Sequence, residues 1–291
     1  MSAPKSFKRF LLTSYFGRIL LIPYRFLQTF RCGSLSKRRY WNWLLFEREV
    51  TNYSYRLTQR SKQQLCNFVD VAVEQPSGTA AQCLSQFEGG FEYSNLVSAI
   101  DGASARSVFR WSQNKHTLLD QRIVYYLLTR ALKPKLVFQS GTARGVGACL
   151  IAVALIENES DGQPGRLIST DIDPEQGYAI EEKLKRVVTF IAQDSAVTLS
   201  QVTQPIDLYI HDTSPGDLAV QEFAVMERCI ARTGFVLSTW HTATTCDLAK
   251  RLERRYLTWK DEPDDHWYQG TTMALICGRE QLHSSERPHE N

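Results

Sequence analysis

The sequence predicts an α/β protein with a mostly parallel sheet, preceded by a helical extension. From residue 116 onward, short apolar runs alternate with helical patterns, as parallel strands joined by right-handed crossover helices do. Those runs end near polar residues, Gln139, Asp171, Asp194 and Asp212, and ligands of such sheets sit at the carboxyl ends of the strands. The third observation is size: 291 residues with 43% hydrophobic and 22% charged content suffice for one sizeable core plus an appendage.

Taken from the N-terminus, Phe7, Phe10 and Leu11, then Phe26, Leu27 and Phe30, recur at helical spacing among Lys8, Arg9, Arg25 and Arg31. Two short amphipathic helices separated near Pro23 are expected. Nine Lys/Arg residues precede the first acid, Glu47, so the formal charge of +3 hides a basic N-terminus on a net acidic remainder. Three readings fit this pattern: a peripheral anchor on anionic lipid through residues 1–40, an extension packed on its own domain or on a second subunit of a homo-oligomer, or a cleaved organellar presequence. Nucleic acid is not an expected partner, because a basic stripe across the folded domain is lacking. No apolar run approaches the length of a membrane span. The seven cysteines are scattered without a C-x-x-C pair, which indicates neither a disulfide framework nor a zinc site and suits a reducing, cytoplasmic setting.

From Leu44 to about Asp70 the pattern stays helical, with breaks at Gln75–Gly78 and Glu88–Gly90. His116 to Lys133 reads as a further helix, ended by Pro134. The strands follow: Leu136 to Ser140, Arg166 to Thr170, Val188 to Ile191, Ile206 to Ile210 and Gly234 to Ser238, with a helix from Gly147 to Glu157 after the first. The boundaries expected are an amphipathic extension over 1–43, a small helical lobe over 44–115, a ligand-binding domain over 116–280 and a disordered tail over 281–291.

The turn after the first strand carries Gly141, Gly145 and Gly147. This is not the G-x-G-x-x-G register of a dinucleotide site, and no G-K-[ST] follows to make a phosphate loop. Glycine at 141 and 145 would let the backbone approach an adenosine-containing ligand. Asp171 could accept hydrogen bonds from ribose hydroxyls, and Asp194 from an adenine amine. Each residue also has a plainer use: the glycines in shaping a turn, Asp171 in opening a loop, and Asp194 with Ser195 in capping a helix.

With these residues in this order, the stretch from about Leu119 to Gly278 resembles the class I S-adenosylmethionine-dependent methyltransferases, in particular the small-molecule O-methyltransferase-like group. The resemblance implies a Rossmann-like, mostly parallel seven-stranded sheet with helices on both faces, its last strand antiparallel. Tyr256 to Trp259 and Thr271 to Ile276 would be the closing strands. It implies S-adenosyl-L-methionine as cofactor, held by Gln139, Ser140, Gly141, Thr142, Ala143 and Gly145 at its methionine portion. Asp171 and Ile172 would serve the ribose, Gln193, Asp194 and Ser195 the adenine, and Asp212 would stand beside the reacting methyl.

Two departures bear on mechanism. Gln139 replaces the usual acid of the first motif, leaving an amide without charge for the cofactor's ammonium. Asp212 matches a metal-binding acid of some relatives, but Thr239 and Trp240 occupy the second metal position and Pro215 stands where a histidine variant would place its ligand. One carboxylate is a poor magnesium site, so no metal is expected. Catalysis would then need a general base: His241 is the first candidate, with Asp212 orienting it or the acceptor, and His266 the second. Trp240 and Trp267 would line an acceptor site or pack. The expected activity is methylation of a hydroxyl on a small-molecule or sugar-like acceptor. The rival is a regulatory or scaffold protein that binds the cofactor without catalysis, and a nicotinamide oxidoreductase is the distant third.

Overall fold

The structure, a computed structural model, describes residues 5–32, 38–45, 54–114, 116–213, 217–240, 242–264, 266 and 268–279. The tail expected over 281–291 lies outside these. Among the described residues the chain opens with α1 (Lys5–Thr13), α2 (Tyr15–Leu20), α3 (Ile22–Cys32) and α4 (Arg38–Leu45). Then come β1 (Arg56–Leu57), α5 (Gln59–Ala72), α6 (Thr79–Gly89) and α7 (Phe91–Arg106). The remaining elements are α8 (Ile123–Leu132), β2 (Leu136–Ser140), α9 (Val146–Ser160), β3 (Arg166–Asp171), β4 (Val188–Ala192), α10 (Ser195–Ser200), β5 (Ile206–His211), α11 (Asp217–Cys229), β6 (Ile230–Ser238), α12 (Thr242–Arg251), β7 (Tyr256–Lys260), β8 (Pro263–Asp264) and β9 (Thr272–Ile276).

Seven strands form one sheet in the order β4-β3-β2-β5-β6-β9-β7. Pairing is parallel from β4 through β6, while β9 runs antiparallel between β6 and β7. The chain winds outward from β2 to β4, then returns to β5 on the other side of β2. This reversal opens a crevice at the carboxyl ends of β2 and β5.

Side chains of β2 alternate between two cores. Val137 joins Val124 and Leu128 of α8 and Ile151 and Leu155 of α9. Leu136 and Phe138 join Phe223 and Met226 of α11 and Leu248 of α12. A strand sandwiched in this way has no solvent face, which explains its continuous apolar run.

Three expectations need correction. Residues 116–119 are not helical: a single 3-10 turn over Asp120–Arg122, in which Asp120 takes a left-handed φ of 46°, leads into the α-helix at Ile123. The pattern between Leu44 and Asp70 is broken by β1, which pairs antiparallel with β8, over two hundred residues later. Such a partner leaves no local trace. The fifth of the expected strands, β6, starts at Ile230 rather than Gly234. The end of α8 follows the sequence: Pro134 denies Lys133 the right-handed region, and Lys133 turns left-handed and donates its N–H to the Thr129 carbonyl.

Gly141, with φ of 83°, lies where the turn passes the end of β5, and a Cβ there would overlap the Asp212 carbonyl oxygen. Gly162, with φ of 77°, has open space around it. Gly141→Ala should therefore lower stability by about 3 kcal/mol or more, whereas Gly162→Ala should cost only about 1 kcal/mol for its backbone conformation. Denaturant unfolding of the two variants checks this; equal losses would show that the close approach at 141 is not limiting.

Candidate active site

The glycine turn is built with its polar side chains inward. Gln139 is buried; its Oε1 accepts from Ser169 Oγ at 3.1 Å, and its Nε2 donates to the Gly141 carbonyl at 3.2 Å. Ser140 Oγ lies 2.6 Å from the Tyr209 hydroxyl, and Thr142 Oγ1 lies 2.6 Å from Ser169 Oγ. Ala143 adopts φ of 44°, and Gly145, at φ of 101°, sits against the following loop, where a Cβ would stand 3.0 Å from Ile180 Cγ1. With its side chains so engaged, the turn has its backbone to offer a ligand, as nucleotide-binding turns do.

Asp171 closes the turn from β3. Its Oδ2 accepts from the Ala143 N–H at 2.9 Å and its Oδ1 from the Asp173 N–H at 3.1 Å. Burial pushes its carboxyl up, against these hydrogen bonds. Beside it Ile172 is 76% exposed, an apolar side chain held at a strand end rather than in the core. At the edge strand, exposed Asp194 caps α10, its Oδ1 accepting from the N–H groups of Ala196 and Val197. Gln193 accepts from Thr198 Oγ1 at 3.1 Å, and Ser195 is buried with its hydroxyl on Glu222.

Asp212, at the end of β5, is the meeting point of the crevice. Its backbone N–H donates to the Ser140 carbonyl at 2.9 Å. Its Oδ1 accepts from Thr239 Oγ1 at 2.9 Å and from Trp240 Nε1 at 3.0 Å. Its Oδ2 lies 3.9 Å from Arg122 Nε. Arg122 is buried and also pairs with Asp120, so one guanidinium stands between two carboxylates. Burial raises the Asp120 carboxyl to about 7, although Arg122 and Arg144 pull the other way. The Tyr125 side chain is buried next to Asp212 and Thr239, and burial, with the Asp212 charge added, holds its hydroxyl well above its ordinary value. A Cβ at Gly147 would come within 2.8 Å of the Tyr125 ring and 2.9 Å of Gln139 Nε2, so that glycine makes room for both.

A second polar group borders the crevice through Tyr55. Its hydroxyl bonds Gln121 and Asp261, and its ring lies 5.4 Å from the His266 ring and 5.8 Å from the Tyr268 ring. Buried His211 turns to the opposite face of the sheet, with Nε2 2.8 Å from Glu222 Oε2. Although burial opposes it, hydrogen bonds from His211 and Ser195 hold the Glu222 carboxyl below its ordinary value.

The structure thus brings Gln139 to Gly145, Asp171 and Asp212 together, and sets Gln193, Asp194 and Ser195 along the next strand end. His241 and Trp267 lie outside the described residues. Sequence reasoning missed Asp120, Gln121, Arg122, Tyr125 and Tyr55. One signal was present: Asp120-Gln121-Arg122 interrupts an apolar run from Leu118 to Leu128, and a charged pair inside such a run is expensive unless it is used or paired.

A family model described as a methyltransferase domain matches residues 138–238. Among solved structures the chain is similar to a methyltransferase from Geobacter sulfurreducens, at 18% identity, covering 62% of this chain and 89% of that one with a TM-score of 0.45. It is also similar to an O-methyltransferase from Streptomyces achromogenes involved in tomaymycin synthesis, solved in complex with SAM, at 17% identity, 62% and 90% coverage and a TM-score of 0.46. A third is an SAH-bound methyltransferase from Podospora anserina, at 14% identity, 64% and 88% coverage and a TM-score of 0.44. Among curated proteins none matches.

Because the folded-state pKa of Asp120 stands above its ordinary 3.8, the native state keeps a proton that the unfolded chain releases between that value and about 7. Its contribution to stability is complete below the lower value and is lost as pH rises through the upper one. Asp120→Asn should abolish this dependence: wild type should lose stability relative to the variant from pH 4 to 7. Parallel pH profiles in urea unfolding would show that Asp120 is not the group responsible.

Proposed function

We propose that the methyltransferase domain over residues 138–238 transfers a methyl group from S-adenosyl-L-methionine to a hydroxyl of a small-molecule or sugar-like acceptor, without a divalent ion. The carrying observation is the Asp212 carboxylate at the switch point, its oxygens directed by Thr239, Trp240 and Arg122, beside the buried Tyr125 ring. This polar end of the crevice fits the charged amino-acid end of such a cofactor, and the Asp171 carboxylate with exposed Ile172 fits a ribose and its attached ring.

When bound, the cofactor supplies an electrophilic methyl on a sulfonium. The chain supplies position. Asp171 would accept from the ribose hydroxyls, Asp194 from the adenine amine, and the backbone of Gly141 to Gly145 would line the methionine portion. Asp212 would hold the acceptor hydroxyl in line with the methyl, since transfer of this kind is governed by proximity and alignment. His241, next to Trp240, would take the proton as the oxygen attacks, with a pKa range suited to that exchange. Metal independence is supported by Arg122: its guanidinium already places positive charge between Asp120 and Asp212, and both donors on Asp212 Oδ1 would have to leave for a cation.

The rival reading, cofactor binding without catalysis, is favoured by Gln139, whose uncharged amide is satisfied within the turn. Two measurements separate the readings. S-adenosylhomocysteine at about 100 times its dissociation constant should stabilise the protein by about 2.7 kcal/mol, unchanged by EDTA, absent with NAD, and lost in Asp171→Ala. No shift with either adenosyl compound would refute the cofactor assignment. Against a panel of hydroxylated acceptors, Asp212→Asn and His241→Ala should each lower kcat/KM about 100-fold while keeping the shift. A shift without turnover on any acceptor would favour the rival.

A further inference from the structure

We propose that α1 to α4 dock the protein on the surface of an anionic lipid bilayer, with the crevice side of the sheet turned toward the lipid. These helices carry apolar residues on two sides. One side packs inward: Leu21, Trp43 and Leu44 are buried, Trp43 and Leu44 pack against Ile22 and Tyr268, and the Arg25 guanidinium lies 5.0 Å over the Trp43 ring. The other side faces solvent: Phe16 is 71% exposed and Leu27 65%, with Tyr15, Ile19, Leu20, Tyr24, Trp41 and Leu45 also exposed. In α2 the positions 16, 19 and 20 share one helical face. So many large exposed apolar side chains in four short helices mark an interaction surface.

Charge chooses the occupant. The first acid of the chain is Glu47, after nine Lys/Arg; Arg9 pairs with Glu175 and Arg25 is buried, which leaves seven cations in a segment that has no carboxylate of its own. Anionic headgroups complement both properties at once, the rings and Leu side chains entering the acyl boundary and the cations meeting the phosphates. A second copy meeting the first across a two-fold axis would bring like charges together. Among the described residues no helix is long and apolar enough to cross a membrane, which leaves a helix lying in the interface.

The attachments fix the orientation. Arg9 of α1 pairs with Glu175, four residues beyond Asp171 at the end of β3. Trp43 of α4 packs on Tyr268, in the loop that enters β9. Because β9 is antiparallel, with Thr272 beside Lys260 at the end of β7, that loop lies at the carboxyl ends of its neighbours. The segment therefore spans the crevice side of the sheet, from β3 to β7. Tyr15 of α2 packs edge-on to Trp111 at 5.5 Å, a further tie to the body.

The test is vesicle co-sedimentation of the full chain and of a Phe16→Ser, Leu20→Ser, Leu27→Ser variant, with circular dichroism melting to confirm that both are folded. Wild type should bind phosphatidylcholine vesicles containing phosphatidylserine at least about tenfold more tightly than phosphatidylcholine alone, losing that preference in high salt. The folded variant should bind neither. Equal binding to both vesicle types, or undiminished binding by the variant, overturns the proposal. A wild-type dimer that the variant abolishes, without lipid binding, assigns the surface to a second copy instead. No cofactor enters this measurement, so its outcome is independent of the methyl-transfer reading.

Discussion

The contact on which the rest of the site depends is the close passage of the turn after β2 against the end of β5. The Asp212 N–H bonds the Ser140 carbonyl, and Gly141 runs so near the Asp212 carbonyl that no side chain fits. This contact exists because the strand order reverses at β2, making β5 its neighbour without any strand between. Once Gly141 fixes the turn, Ala143 can offer its N–H to Asp171 and Gly145 can settle against Ile180. The glycine turn and the Asp212 carboxylate are thereby placed side by side by backbone geometry, before any side chain contributes.

Around that contact the protein buries charge, which needs an explanation in energy. Asp120, Arg122 and Arg144 lose most of their hydration, and the attraction between them recovers part of that loss. An apolar replacement would generally be no less stable, so the cluster is better understood as setting conditions for Asp212. Arg122 stands 3.9 Å from one oxygen of that carboxylate, while Thr239 and Trp240 fix the direction of the other. The left-handed backbone at Asp120 is what folds this carboxylate back onto Arg122, two residues on. Strain at a non-glycine residue beside a buried ion pair is the pattern expected of a site rather than of a core.

How much of this was legible follows from distance along the chain. Strand ends were readable because a strand-like run stops at polar residues and an acid, Leu167 to Thr170 at Asp171 and Leu208 to His211 at Asp212, and both carboxylates lie where that pattern puts them. The turn was readable as glycine spacing, but not the direction of its side chains: Gln139 faces Ser169, and Ser195 faces Glu222, contacts decided by residues some thirty positions away. Asp120 and Arg122 were hidden inside an apolar run whose periodicity suggested an unbroken helix, because the turn they make is stabilised by Asp212, ninety residues later. Likewise β1 has no pattern of its own; two residues become a strand only when Pro263 and Asp264 arrive beside them.

The same reasoning joins the N-terminal helices to the site. The inward apolar side of these helices needs a neighbour, and Trp43 and Leu44 find theirs on Ile22 and Tyr268. Tyr268 is in turn close to the Tyr55 ring, whose hydroxyl holds Asp261 and Gln121, next in the chain to Asp120 and Arg122. A short path of packed and hydrogen-bonded groups therefore leads from α4 to the Asp212 carboxylate. Trp43 and Leu44 cannot shift without disturbing that packing, so the seating of α4 and the position of Tyr268 depend on each other.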